Sequence, residues 1–192
     1  MGTRDAMTTT APSRIDAGDG TEATIRPFAT GDAPALHAAV RDSIASLSAL
    51  FPWCRADYAL ADAEARVAAC IAAWRDGSEY PFGIFDGGAL LGCVGLNRID
   101  RAARCANLGY WIGEAHRRRG LATRAAAWTA AYGFQTLGLA RIEIVVLPHN
   151  AASLRVAENI GARREGIVPG RIEFQGGAAD AVLFSLSPGD LA

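Results

Sequence analysis

Residues 114–131 read EAHRRRGLATRAAAWTAA. Three consecutive arginines, Arg117, Arg118 and Arg119, lead into Gly120, and the chain beyond it has the alanine-rich composition of a helix. A helix macrodipole places about half a positive charge at the N-terminus, so cations there are unfavourable on a bare helix end. An anionic ligand removes the conflict. Glycine permits close approach to the backbone, and the first-turn N–H groups have no intrahelical acceptors and point outward. The pattern R-x-x-G-x-A between a strand and a helix therefore suits a pyrophosphate. Alone, the pattern is equally that of a solvated basic turn, so its flanks must decide.

Upstream, a strand is expected over about Arg104–Gly113, carrying NLGYWIG, after a hairpin of Pro81–Asp86 and Ala89–Asp100 turned by Asp86-Gly87-Gly88. Downstream, the helix should run to about Leu137 with Leu121, Ala125, Trp128 and Tyr132 as its buried stripe. A strand at Arg141–Leu147 follows, then a short helix ending at Gly161, then closing strands near Ala162–Pro169 and Ala181–Leu186. Toward the N-terminus a strand is expected at Ala23–Phe28 and a helix from an Asp32 N-cap to about Ala45. LFPWC (Leu50–Cys54) interrupts the pattern before a helix at about Asp62–Arg75. Residues 1–22 hold little to bury and are expected to be a disordered tail, leaving one α/β domain over residues 23–189 with a mixed sheet.

Composition narrows the classes. With 19 basic and 20 acidic side chains in 192 residues, the formal charge is −1, and nothing in the overall balance favours nucleic acid. The arginines of the opening stretch are a local device. Cys54, Cys70, Cys93 and Cys105 form no CxxC pair, so neither a zinc ribbon nor a disulfide framework is expected, and no metal site is. Residues 1–22 lack the apolar segment of a signal peptide, and no stretch reads as a membrane span. A cytoplasmic protein without membrane partners is the expectation.

GYWIGEAHRRRGLAT, LGLARIEIVVLPHNAAS, ENIGARREG and FGIFDGGALLGCVGLNRID occur together, and with them the segment from about 23 to 188 resembles the GNAT superfamily of N-acetyltransferases, in its ribosomal-protein N-terminal (Rim-type) branch. The resemblance implies a mixed, mostly antiparallel sheet flanked by helices, with a splayed parallel strand pair holding the pantetheine arm of acetyl-CoA. Those strands correspond to Asn107–Gly113 and Arg141–Leu147. It further implies a pyrophosphate loop of Arg117, Arg118, Arg119, Gly120, Leu121, Ala122 and Thr123, with Trp111 and Ile112 presenting backbone to the acyl group. Asn150 and Ser153 match the family's N-x-x-S. Asn150 is read both as an N-cap, with Ser153 at N3, and as a cofactor contact.

The resemblance places Ser153 near the thioester sulfur, where its hydroxyl would protonate the departing thiolate; the alternative is a serine of the first helical turn. Many relatives use a tyrosine four residues further on, but Ala157 occupies that position. An ammonium acceptor must lose a proton before attack. Relatives often carry a glutamate for this at the place of Asn107, whose amide cannot serve. Glu173 is the candidate base, against an exposed strand carboxylate, with Glu114 behind it.

The implied function is acyl transfer from acetyl-CoA, or another acyl-CoA, to an amine by direct attack in a ternary complex. A protein N-terminal α-amine is the favoured acceptor. The alternatives are acetylation or succinylation of a small-molecule amine, and a non-catalytic acyl-CoA-binding module. A homodimer is expected by analogy at the level of fold.

Overall fold

The computed structural model describes residues 12–18 and 20–191. Among them, eight strands form one sheet: β1 (Ser13–Asp16), β2 (Glu22–Pro27), β3 (Tyr80–Asp86), β4 (Ala89–Asp100), β5 (Cys105–Ile112), β6 (Arg141–Val146), β7 (Arg163–Phe174) and β8 (Gly177–Leu186). Their order is β1-β2-β3-β4-β5-β6-β8-β7. Every neighbouring pair is antiparallel except β5 and β6. The helices are α1 (Ala33–Asp42), α2 (Ile44–Ser48), α3 (Leu60–Asp76), α4 (Leu121–Gln135) and α5 (Ala151–Asn159).

Alternation along the strands builds a core on each face of the sheet. Phe82, Leu96, Leu108, Ile142 and Phe184 face the α4–α5 side, where Leu121, Ala125 and Ala157 are buried. Phe85 and Leu90 face the other side with Leu36, Val40 and Val67 of α1 and α3, and half-buried Cys93 and Trp111 pack onto that cluster. The α4 stripe is as expected. Trp128 and Tyr132 meet the Phe82 ring edge-on at centroid distances of 4.9 and 5.3 Å, a geometry favoured by the ring quadrupoles. At Gly133 a Cβ would stand 2.9 Å from Leu96 Cδ1, so the missing side chain lets α4 lie against the sheet.

The structure corrects four expectations. Residues 13–16, placed in the tail, form β1 and pair with β2 from Ser13↔Ile25 to Asp16↔Glu22. Ile15 packs on the core and Ala17 is buried, so order begins by residue 12 rather than 23; residues 1–11 of the expected tail lie outside the described residues. A four-residue edge strand with a single large apolar side chain leaves almost no periodic signal. Asp32 does not cap α1 with its side chain. Its carboxylate accepts Arg26 Nη1 and Nη2 at 2.6 and 2.8 Å and the Ala29 amide at 2.7 Å, which uses its oxygens elsewhere. The first helix also stops at Asp42, because Ser43 is drawn into a contact with the loop described below. The closing hairpin, β7 with β8, is longer than expected and irregular, with register shifts at Arg164/Gly166 and Val168/Ile172.

Candidate active site

The β5–β6 ladder is short. Cys105, Ala106 and Asn107 pair with Arg141, Ile142 and Glu143, and there the pairing stops although both strands continue. Beyond that level β5 stays bonded to β4 through Ile112, and β6 to β8 through Val146. The inner edges of Leu108–Ile112 and Ile144–Val146 are thus without a strand partner. This is the splay that the resemblance places at Asn107–Gly113 and Arg141–Leu147.

At its open end, β5 leads through a short 3-10 turn (Glu114–His116) into the arginine loop. The amides of Leu121, Ala122 and Thr123 have no acceptor among the described residues, and Gly120 precedes α4 with φ 74° and no side-chain cap. Arg118 is also left-handed, with φ 65°. Two braces hold this backbone. Arg117 donates from Nε to Ile112 O at 3.2 Å and from Nη2 to Ser46 Oγ at 2.9 Å, while the Glu114 amide donates to Ser43 Oγ at 3.0 Å. Arg124 donates from Nε to Asp16 O at 2.7 Å and from Nη2 to Arg119 O at 2.5 Å. The Arg118 guanidinium makes no hydrogen bond or ion pair among the described residues. An uncapped helix end with outward amides and a cation beside it matches what a pyrophosphate requires.

Inside the splay the decisive contact is one that the sequence reading did not assign. Tyr110 Oη lies 2.9 Å from Ser153 Oγ and donates toward Ser153 O at 3.2 Å. Asn150 caps α5 as expected, its Oδ1 accepting the Ser153 amide at 3.1 Å. The cap fixes the start of the helix, the helix start fixes Ser153, and Ser153 meets a strand tyrosine. Burial raises the Tyr110 phenol to about 12, only partly offset by its bond to Ser153, so it carries its proton at neutral pH. Tyr110 stands in GYW, the segment that marked the strand. Alternation sets it one residue out of step with Gly109 and Trp111, on the opposite face from them.

On the α1–α3 side of β4 and β5 is a cavity of about 370 Å³, walled by Phe51, Trp53 and Tyr58 and floored by Asn97, Gly109 and Trp111. Trp53, in LFPWC, is 43% exposed and stands with Phe51 and Tyr58 in an aromatic cluster. Cys70 and Cys93 also line the space, and burial pushes both thiols up, away from the nucleophilic thiolate. The four cysteines are free. Glu173 is exposed near the β7–β8 turn, opposite Ala178, and has no hydrogen bond or ion pair among the described residues. Two residues before it, Arg171 reaches Glu143 at 3.3 Å. No contact joins Glu173 to Ser153 or Tyr110.

The Acetyltransferase (GNAT) domain family matches residues 23–163, most of the described chain. The chain belongs to the GNAT family. Among curated proteins, this GNAT domain is 40% identical over 116 residues to the probable N-acetyltransferase YjcK of Bacillus subtilis (strain 168), covering 58% of this chain and 64% of that one. The matches to curated relatives span about half to two-thirds of those proteins' lengths. Among solved structures, Mycobacterium smegmatis RimJ in complex with CoA-disulfide is 28% identical with a TM-score of 0.79, covering 94% of this chain and 88% of that one. A candidate ribosomal-protein-serine acetyltransferase from Vibrio cholerae is 30% identical with a TM-score of 0.75, over 86% and 94% of the two chains. The mixed sheet with one parallel pair, flanked by helices, is the fold that the resemblance implied.

Proposed function

We propose that this GNAT domain is an acetyl-CoA-dependent N-acetyltransferase acting on an amine, with a protein N-terminal α-amine as its acceptor. The observation that carries the reading is the Tyr110–Ser153 hydroxyl pair in the part of β5 that has no β6 partner. A leaving thiolate needs a proton donor that is still protonated at neutral pH, and a buried phenol hydrogen-bonded to a hydroxyl supplies one. In this reading Arg118, Gly120 and the first-turn amides of α4 hold the pyrophosphate. Trp111 and Ile112 present backbone to the acyl group, and Asn150 keeps Ser153 in place.

Direct attack within a ternary complex fits the cavity, because burial keeps Cys70 and Cys93 as thiols and no base stands paired with either. A protein acceptor is supported by the likeness to the Vibrio cholerae protein and by the exposed aromatic wall at Trp53. The test is thiol release with acetyl-, succinyl- and propionyl-CoA against peptides with free N-termini, polyamines and aminoglycosides. Turnover confined to small amines would move the acceptor class. CoA binding without turnover on any amine would leave an acyl-CoA-binding module.

A further inference from the structure

One carboxylate of the cavity has no partner. Asp62 and Glu79 are the two carboxylates of the lining. Asp62 is engaged: its Oδ2 accepts the Ala59 amide at 2.8 Å and its Oδ1 lies 3.5 Å from Arg55 Nη2. Glu79 is half-buried, just before β3, and makes no hydrogen bond or ion pair among the described residues. The register shows where it stands. Tyr80 pairs with Leu96 and Pro81 with Gly95, so the next antiparallel position sets Glu79 beside Asn97. Asn97 in turn pairs with Asn107, and Asn107 with Glu143 at the last rung before the splay.

Glu79, just before β3, therefore continues a polar row formed by Asn97 of β4 and Asn107 of β5 at the level where the sheet opens. Within it, Asn107 Nδ2 donates to Asn97 Oδ1 at 3.0 Å, and Asn107 Oδ1 is buried with no donor. A buried acceptor without a donor is costly unless a ligand or water supplies one.

We propose that Glu79 is the base that takes the acceptor's proton, directly or through one water, from an ammonium held in this cavity. The inference rests on the acetyltransferase reading above. In this row Glu79 is the group that accepts H⁺. The balance closes: the ammonium gives one proton to the Glu79 carboxylate, which passes it to solvent, and the free amine forms the C–N bond as the thioester C–S bond breaks. The second nitrogen proton passes to solvent, the thiolate takes the Tyr110 hydroxyl proton, and the tyrosinate takes one back from solvent. An acyl-amine and a thiol result, with one net proton released. Charged and titratable groups facing Glu79 across the cavity are Asp62, Arg66 and Cys70 of α3, Arg55 and Tyr58 before it, and Cys93 of β4. Tyr110 borders the cavity from β5 with its side chain on the far face of the sheet. Arg55 is matched by Asp57 and Asp62, and Arg66 is the other cation of the lining.

The test is steady-state kinetics from about pH 6 to 9.5, a span bracketing the α-amine, with acetyl-CoA and the best of a set of tetrapeptides with free N-termini. The full chain is compared with Glu79→Gln, Glu79→Asp and Glu173→Gln, and calorimetric CoA titration verifies that each variant is folded. Glu79→Gln should lower kcat at least tenfold at neutral pH and recover as pH rises, with unchanged CoA affinity, while Glu173→Gln keeps the wild-type profile. If Glu79→Gln binds no CoA, Glu79→Asp becomes the probe, and it should retain the shape of the pH profile at a lower rate. A wild-type profile in Glu79→Gln, or a raised KM with kcat kept at every pH, would overturn the base. Absence of wild-type turnover on every amine would overturn the acetyltransferase reading itself, and the base with it.

Discussion

Removing the Tyr110 hydroxyl separates a chemical role from a packing role. Tyr110→Phe keeps the ring and deletes the bond to Ser153 Oγ at 2.9 Å and the donation to Ser153 O at 3.2 Å. A neutral hydrogen bond of this kind contributes about 1 kcal/mol to stability. For a domain of this size that lowers the melting temperature by about 2–4 °C. The effect on rate should be far larger, since loss of one transition-state donor costs on the order of a hundredfold, or about 2.7 kcal/mol. Because the donor acts only as the C–S bond breaks, kcat and kcat/KM should fall together and CoA affinity should stay within a few-fold. Ser153→Ala should fall by a similar factor, and the double variant by hardly more than either single, since two hydroxyls in one relay do not act independently. Thiol-release kinetics with calorimetric CoA titration measure all three. An unchanged kcat in Tyr110→Phe would reduce the pair to a helix-positioning contact, and additive losses would refute the relay.

Three further outcomes follow from the loop and the sheet. Gly120→Asp adds a side chain at φ 74° and a negative charge at the uncapped α4 terminus, and CoA binding by calorimetry should be lost in a folded protein. Arg118→Ala removes the loop guanidinium that has no partner among the described residues; CoA affinity should drop roughly tenfold and its salt dependence should flatten, with the melting temperature unchanged. Glu165 is held down to about 2, chiefly by the Arg141 guanidinium and then by Ser185. A depressed carboxylate stabilises the fold fully above its unfolded value of about 4.3 and loses that contribution as pH falls toward 2. Glu165→Gln should therefore be less stable than wild type at pH 6, with the difference in denaturant midpoint shrinking between pH 4.5 and 2.

The sequence was most legible where one residue type carries one geometry. Gly120, the Asn150 cap, the hairpin glycines and the α4 stripe each follow from local rules, and each stands where those rules set it. Contacts between distant segments were not legible. Tyr110 and Ser153 are 43 residues apart, and nothing in either segment says that a strand side chain will reach a helix start. The Glu79–Asn97–Asn107 row depends on strand register, which spacing along the chain does not specify. β1 was missed for a different reason: its stabilisation comes from pairing with β2 and from burial of Ala17 beside it, not from any pattern of its own.

In the arginine loop, local electrostatics suggest an anion, but what each arginine does depends on contacts with distant segments. The conflict between positive charge and a helix N-terminus points to an anion, and the uncapped α4 terminus agrees. Yet the Arg117 and Arg124 guanidiniums are taken up by protein oxygens, those of Ile112, Ser46, Asp16 and Arg119. Their reach ties the loop to β5, α2 and the β1–β2 segment. That matters because the loop holds two left-handed residues, and at Arg118 this conformation costs about 1–2 kcal/mol for a residue with a side chain. Charge alone would not keep such a backbone in place; multidentate donors to carbonyls do. Gly18 completes the enclosure, since a Cβ there would run into the Arg119 carbonyl. The arginines thus divide into those that shape the loop and Arg118, whose guanidinium makes no hydrogen bond or ion pair among the described residues. The segment read as a tail is one of the walls that holds the cradle open.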